Sequence, residues 1–113
     1  MTDCLFCRIV AGDVPATPVL EGATTLAFRD VAPQAPTHVL VIPKQHFATA
    51  AELASAAPQT MAQLWEALAA VAKAEGLGAG YRVVFNTGKE AGQSVDHVHA
   101  HLLGGRAMTW PPG

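Results

Sequence analysis

The feature that most constrains this chain is the run His97-Val-His-Ala-His-Leu-Leu103, in which imidazoles and apolar side chains alternate without a break. A period of two is the period of a β-strand, so His97, His99 and His101 project from one face while Val98, Ala100 and Leu102 project from the other. Such a strand belongs in a sheet with one face closed against a core and the other facing a site. Surface filler is a poor account of the histidines, because a row of titratable rings adds little packing and repels itself when protonated. A metal ion shared by all three is a poor account as well. Same-face neighbours stand about 6.6 Å apart, too far for three nitrogens to meet one ion at about 2.0 Å, although one or two of them can ligate. Nucleophilic catalysis fits best, since a neutral imidazole held by hydrogen bonds can attack phosphorus and carry a nucleotidyl group. The central ring, His99, is the natural nucleophile.

The rest of the chain supplies partners for this strand. The segments Pro18–Glu21 and Thr24–Arg29 flank a Gly22-Ala23 turn and read as a hairpin. His38–Ile42 is nearly all apolar and β-branched, as a central strand buried on both faces should be. Tyr81–Asn86 reads as a fourth strand. Between them, Met61, Leu64, Trp65, Leu68 and Val71 recur at helical spacing and predict one long helix over 58–75, with Gln63, Glu66 and Lys73 turned away. Residues 4–11 predict a short N-terminal helix stopped by Gly12. The expected fold is α+β, with an antiparallel sheet of about five strands, in a single domain over residues 1–113.

Composition narrows the partners. Half the residues are apolar, enough for one core, and seven Lys plus Arg against nine Asp plus Glu leave a net charge of −2 without a basic run. Nucleic acid is therefore not an expected partner. Arg8, Asp13 and Glu21 interrupt the first two dozen residues, so no secretory core is read there, and no stretch is long enough to span a membrane. A cytoplasmic location is expected. The two cysteines, Cys4 and Cys7, lie too close together to staple a fold; a metal pair, a redox pair or two inert thiols are the readings open to them.

Ahead of the histidine strand, Gly92-Gln93-Ser94 offers backbone N–H groups, an amide and a hydroxyl where a phosphate can sit without a basic clamp. The whole segment Gly92-Gln-Ser-Val-Asp-His-Val-His-Ala-His-Leu-Leu-Gly-Gly105 resembles the His-φ-His-φ-His-φ-φ signature of the histidine-triad superfamily. Ala32–Lys44, Gly80–Asn86 and the Trp110-Pro-Pro-Gly113 ending resemble its Hint branch, the purine nucleoside phosphoramidate hydrolases. The Fhit branch, which cleaves dinucleoside polyphosphates, shares the histidines but lacks that ending.

The resemblance implies a role for each matching residue. His99 would be the nucleophile, with His38 supporting its orientation, and Asp30 would hold the ribose hydroxyls. Asn86, Gly92, Gln93, Ser94 and His101 would surround the α-phosphate. Phe6, Ile9, Phe28 and Val31 would form the purine slot. Cys4 and Cys7 are similar to the Cys-x-x-Cys pair of bacterial members and of galactose-1-phosphate uridylyltransferases, where two histidines complete a zinc site; here His46 and His97 would do so, giving a structural zinc with the tetrahedral donor set such ions prefer. The implied activity is cleavage of the P–N bond of a purine nucleoside phosphoramidate, or of an acyl-adenylate, through a nucleotidyl-histidine. A dinucleoside polyphosphate hydrolase and a non-catalytic zinc-stabilised nucleotide-binding module are the alternatives. No redox cofactor is implied. A homodimer is expected, with the irregular tail Met108–Gly113 docking near the partner's site.

Overall fold

A computed structural model describes residues 3–113. In chain order the elements are α1 (Leu5–Val10), β1 (Pro18–Glu21), β2 (Thr25–Arg29), β3 (Thr37–Pro43), α2 (Ala50–Ala56), α3 (Pro58–Ala74), β4 (Tyr81–Phe85), a 3₁₀ turn at Lys89–Ala91 and β5 (Ala100–Gly104). The strands form one sheet in the order β1-β2-β3-β5-β4, antiparallel at every step. The last strand in the chain is thus inserted between β3 and β4, which makes the histidine strand an interior one with neighbours on both sides.

Alternation divides the sheet into two faces. Ala27, Val39, Val41, Ala100 and Leu102 pack with Leu53 of α2 and Leu64, Leu68 and Val71 of α3 in the larger core. Leu26, Phe28, Leu40 and Ile42 turn the opposite way and pack under Phe6 of α1 in a smaller one. β3 is buried at every position because it feeds both cores, as its unbroken apolar run predicts. The short helix and the long helix both form as expected, α3 opening on Pro58 at its first turn.

Three expectations are corrected. The helix α2 was not anticipated, because its Ala-rich sequence buries one side chain, Leu53, and so carries no apolar stripe. Its signal is instead at its start, where Thr49 accepts from the Glu52 amide at 3.2 Å and Glu52 reaches back to the Ala48 amide at 3.0 Å. Trp65 lies outside the core, 47% exposed, with its ring 6.1 Å from that of Phe85 at the edge of the sheet. The histidine strand begins at Ala100 instead of His97. β4 runs out there: Ala100 pairs with Phe85, its last residue, and with Val41, two residues short of the end of β3, and upstream the Val98 amide donates to Phe47 O at 2.7 Å. The alternation of faces survives the loss of the ladder, since Val98 stays in the larger core while His97 and His99 contact Phe6 on the other side.

Candidate active site

Leaving the ladder lets residues 97–99 bend toward α1, and His97 there meets both cysteines. Its Nδ1 lies 3.3 Å from Cys4 Sγ, 3.5 Å from Cys7 Sγ and 3.2 Å from His46 Nδ1, which is itself 3.4 Å from Cys7 Sγ. A tetrahedron with bonds of about 2.3 Å to sulfur and 2.05 Å to nitrogen has S···N edges of about 3.5 Å and an N···N edge of about 3.3 Å, so the four donors already stand at the corners such an ion requires. His97 Nε2 lies 2.9 Å from the Pro43 carbonyl, to which it donates, and this leaves Nδ1 as a lone pair directed into the cluster. Burial above all pushes the His97 pKa down, with His46 and His99 adding to the effect and the Pro43 bond opposing it, so the ring is held neutral as a ligand must be. Burial, followed by the neighbouring Cys4 thiol, pushes Cys7 up to about 11, so a cation binding here displaces its proton.

His99 takes its orientation from the same residue. Its Nδ1 donates to the His97 carbonyl at 2.8 Å, which fixes the tautomer and leaves Nε2 as an unprotonated lone pair. The ring is 6% exposed and meets Phe6 edge-on at 5.0 Å. His101, whose ring centroid is 5.0 Å from that of His99, is set from the other side. The Gln34 amide donates to His38 Nδ1 at 3.0 Å, so His38 carries its proton on Nε2 and donates it to His101 Nδ1 at 2.9 Å, with Asp30 Oδ2 at 3.4 Å as a second neighbour. His101 therefore carries its own proton on Nε2, a buried atom with no partner among the described residues. Burial first, then His99 and His38, against a smaller opposing pull from Asp30, lower its pKa to about 4.

His99 and His101 line a cleft of about 450 Å³. One wall is apolar, built by Phe6 and Ile9 of α1, Phe28 of β2 and Leu40 of β3; Asp30, Val31, Ser94, His99 and His101 complete it. Asp30 sits at the end of β2 with Oδ1 accepting from the Ala32 amide at 2.8 Å, which is both a turn and a means of aiming the carboxylate.

Residues 11–108 match the HIT domain model. The chain belongs to the HIT domain family. This HIT domain is 50% identical over 111 residues to a HIT-like protein of Synechococcus elongatus, covering 98% of this chain and 97% of that one. It is 47% identical over 111 residues to a 14 kDa zinc-binding protein of Zea mays, covering 96% of this chain and 87% of the relative. A HIT family hydrolase from Legionella pneumophila has the same fold with a TM-score of 0.94 and 52% identity, covering 98% of this chain and all of that one.

Of the residues the sequence singled out, the HIT fold gathers Phe6, Ile9, Phe28, Asp30, Val31, Ser94, His99 and His101 around one cleft, and Cys4, Cys7, His46 and His97 in one cluster. His38 stands behind His101, out of the cleft wall. Asn86 lies one residue beyond the Phe85–Ala100 pair and is not among the residues that line the cleft. Gly92 and Gln93 hold the loop instead of lining the cleft. Their amides donate to Lys89 O and Gly88 O at 3.0 and 3.1 Å. The Gln93 side chain donates to Ala48 O and Val95 O and accepts from the Gly88 amide. Sequence reasoning missed Leu40 and Gln34. Leu40 was legible in principle, two residues from His38 and so on the same face; the Gln34 amide was not, since a backbone group leaves no mark in a sequence.

Proposed function

We propose that the chain is a nucleotide hydrolase that cleaves the P–N bond of purine nucleoside phosphoramidates, or acyl-adenylates, through a nucleotidyl-histidine on His99. The observation that carries this reading is the opposed pair of tautomers in the cleft: His99 offers a bare Nε2 and His101, beside it, offers an Nε2–H with no partner among the described residues. A nucleophile and a hydrogen-bond donor for a phosphoryl oxygen thus face one volume. Binding supplies the orientation. The purine lies against Phe6, Ile9 and Phe28, under the rim at Val31, and the ribose hydroxyls bond to Asp30. Ser94 and His101, with Asn86 alongside, receive the α-phosphate. His99 Nε2 attacks phosphorus, the P–N bond breaks, and the nitrogen departs with its electron pair and takes a proton from solvent; water then attacks phosphorus and breaks the N–P bond of the adduct, giving up a proton to solvent, releasing the monophosphate and restoring the free imidazole. The donors at the phosphoryl oxygens gain most as charge grows there in the transition state.

Zinc is the ion that Cys4, Cys7, His46 and His97 would hold. When bound it ties α1 to the His97 segment and contributes to folding, and the steps at phosphorus are carried by side chains. The protein is also proposed to be a homodimer. β4 is an open edge of the sheet, with Tyr81 and Trp65 each 47% exposed on or beside it, and the Arg82 guanidinium holds the tail there by a 2.9 Å bond to Thr109 O. Trp110, 82% exposed, is placed to reach a partner across that edge.

The test is turnover of adenosine 5′-phosphoramidate against a diadenosine polyphosphate at equal concentration. Preference for the phosphoramidate supports the proposal, preference for the polyphosphate moves the protein to the Fhit type, and binding without turnover of either makes it a nucleotide-binding module.

A further inference from the structure

The loop that sets the tautomer of His38 is itself held from the far end of the histidine strand. After β5 the chain turns at Gly105, whose φ of +89° and close approach to the 31–36 loop both require glycine: a Cβ there would stand 2.8 Å from Pro36 Cβ. The next residue, Arg106, reaches back over this contact. Its Nε and Nη2 donate to the Gln34 carbonyl at 3.1 and 3.0 Å, and its Nη1 donates to Ala107 O at 3.1 Å. Two parallel bonds to one carbonyl fix Gln34 in position and in rotation, which a single ammonium donor cannot do. Gln34 adds a bond from its own side-chain amide to Ala32 O at 3.1 Å, and Ala32 is the residue that aims Asp30.

We propose that Arg106 is a positioning residue for catalysis: by clamping the Gln34 carbonyl it holds the Gln34 amide on His38 Nδ1, and so sets the protons on His38 and His101. The consequence is chemical as well as structural. An imidazole can carry its single proton on either nitrogen, and the amide of Gln34 is the group that makes Nδ1 of His38 the acceptor. With the amide displaced, His38 is free to protonate at Nδ1 and present a lone pair to His101. His101 then places its proton on Nδ1 to meet it, and its Nε2 faces the cleft as an acceptor, repelled by a phosphoryl oxygen. Arg106 is exposed and touches none of the groups that meet substrate, so its effect on the reaction runs through this chain of bonds.

The assignment of a kinetic role rests on the proposed hydrolase reading; the assignment of the tautomers does not, and the experiment separates them. Protein carrying 15N-labelled histidine is compared as parent, Arg106→Ala and Arg106→Lys at neutral pH without ligand, and the imidazole nitrogen shifts of His38 and His101 are read together with kcat and KM for adenosine 5′-phosphoramidate. The expected result is that the parent shows both rings protonated at Nε2, and Arg106→Ala shows a mixture of tautomers. Its kcat falls between about 10- and 100-fold with KM within about twofold. Arg106→Lys should stay near the alanine variant, and added guanidinium should restore both the shifts and kcat in Arg106→Ala. An unchanged nitrogen pattern in Arg106→Ala overturns the proposal, whether or not kcat falls. A changed pattern with unchanged kcat overturns the kinetic role. If the parent turns over no phosphoramidate, the hydrolase reading fails while the nitrogen shifts still decide the clamp.

Discussion

Replacing His99 by alanine separates the chemistry from the fold, because the two losses differ greatly in size. The substitution removes the Nδ1–H that donates to the His97 carbonyl at 2.8 Å and the edge contact with Phe6 at 5.0 Å. One buried hydrogen bond with its partner left unpaired costs about 1–3 kcal/mol, and the aromatic contact about 1 kcal/mol more. A domain with stability on the order of 5–15 kcal/mol survives such a loss mostly folded. Loss of the nucleophile removes the covalent route altogether, and a fall in turnover of at least about a thousandfold corresponds to about 4 kcal/mol in the barrier. For unfolding alone to give that fall, the substitution would have to abolish the entire stability and about 4 kcal/mol besides, which its contacts cannot supply. The variant should melt cooperatively, roughly 10–15 °C lower, and should still bind a nucleoside monophosphate, since Phe6, Ile9, Phe28, Leu40 and Asp30 remain in the cleft wall. Single-turnover assays with an acid-free quench and peptide mass spectrometry should find the nucleotidyl adduct on His99 in the parent and none in the variant. Near-normal turnover by His99→Ala, or an adduct that maps to another histidine, refutes the assignment.

Protein purified without chelator should contain one zinc per chain by elemental analysis; Cys7→Ser and His46→Ala should both lose it and melt lower, because the four donors join α1 to the segment that carries His99. The lowered pKa of His101, about 4 against an ordinary 6.5, means that the unfolded chain takes up this proton before the folded one does. The contribution is complete above about pH 6.5 and drains away as pH falls toward 4, so urea midpoints of the parent should drop further between pH 7 and pH 5 than those of His101→Asn. Asp30→Asn should raise KM for a ribonucleotide by about 10-fold, as the loss of one charged hydrogen bond does, with little effect on a 2′,3′-dideoxy analogue. Sedimentation should show a dimer for the parent at micromolar concentration and a monomer for Trp65→Glu, which puts a charge on the exposed ring beside the β4 edge.

Elements whose signal is local and periodic are legible from the residues alone. The unbroken apolar run of β3, the helical stripe of α3 and the alternation through residues 97–103 each report burial directly, so the α+β sheet, its two faces and the set of histidines that share one of them were legible. The spacing of Cys4 and Cys7 left a metal pair, a redox pair and inert thiols all open, and only the family resemblance favoured a pair of metal donors. What depends on distant segments meeting emerges only in the folded chain. It brings His46 and His97 onto the cysteines across 39 and 90 positions of sequence, and sets His38 against His101 across 63. Strand order is the physical reason. Insertion of β5 between β3 and β4 places His101 beside Leu40 and Val84, two residues along β3 from His38, and the end of β4 at Phe85 leaves His97 off the ladder on that side, where it reaches α1. The choice of proton on each ring was likewise beyond the sequence, because it is made by backbone groups, the carbonyls of Pro43 and His97 and the amide of Gln34, which every residue type but proline's missing N–H supplies alike. Gln93 shows the same limit from the other side: its residue type suits a phosphate, and the fold spends its amide on Ala48, Val95 and Gly88.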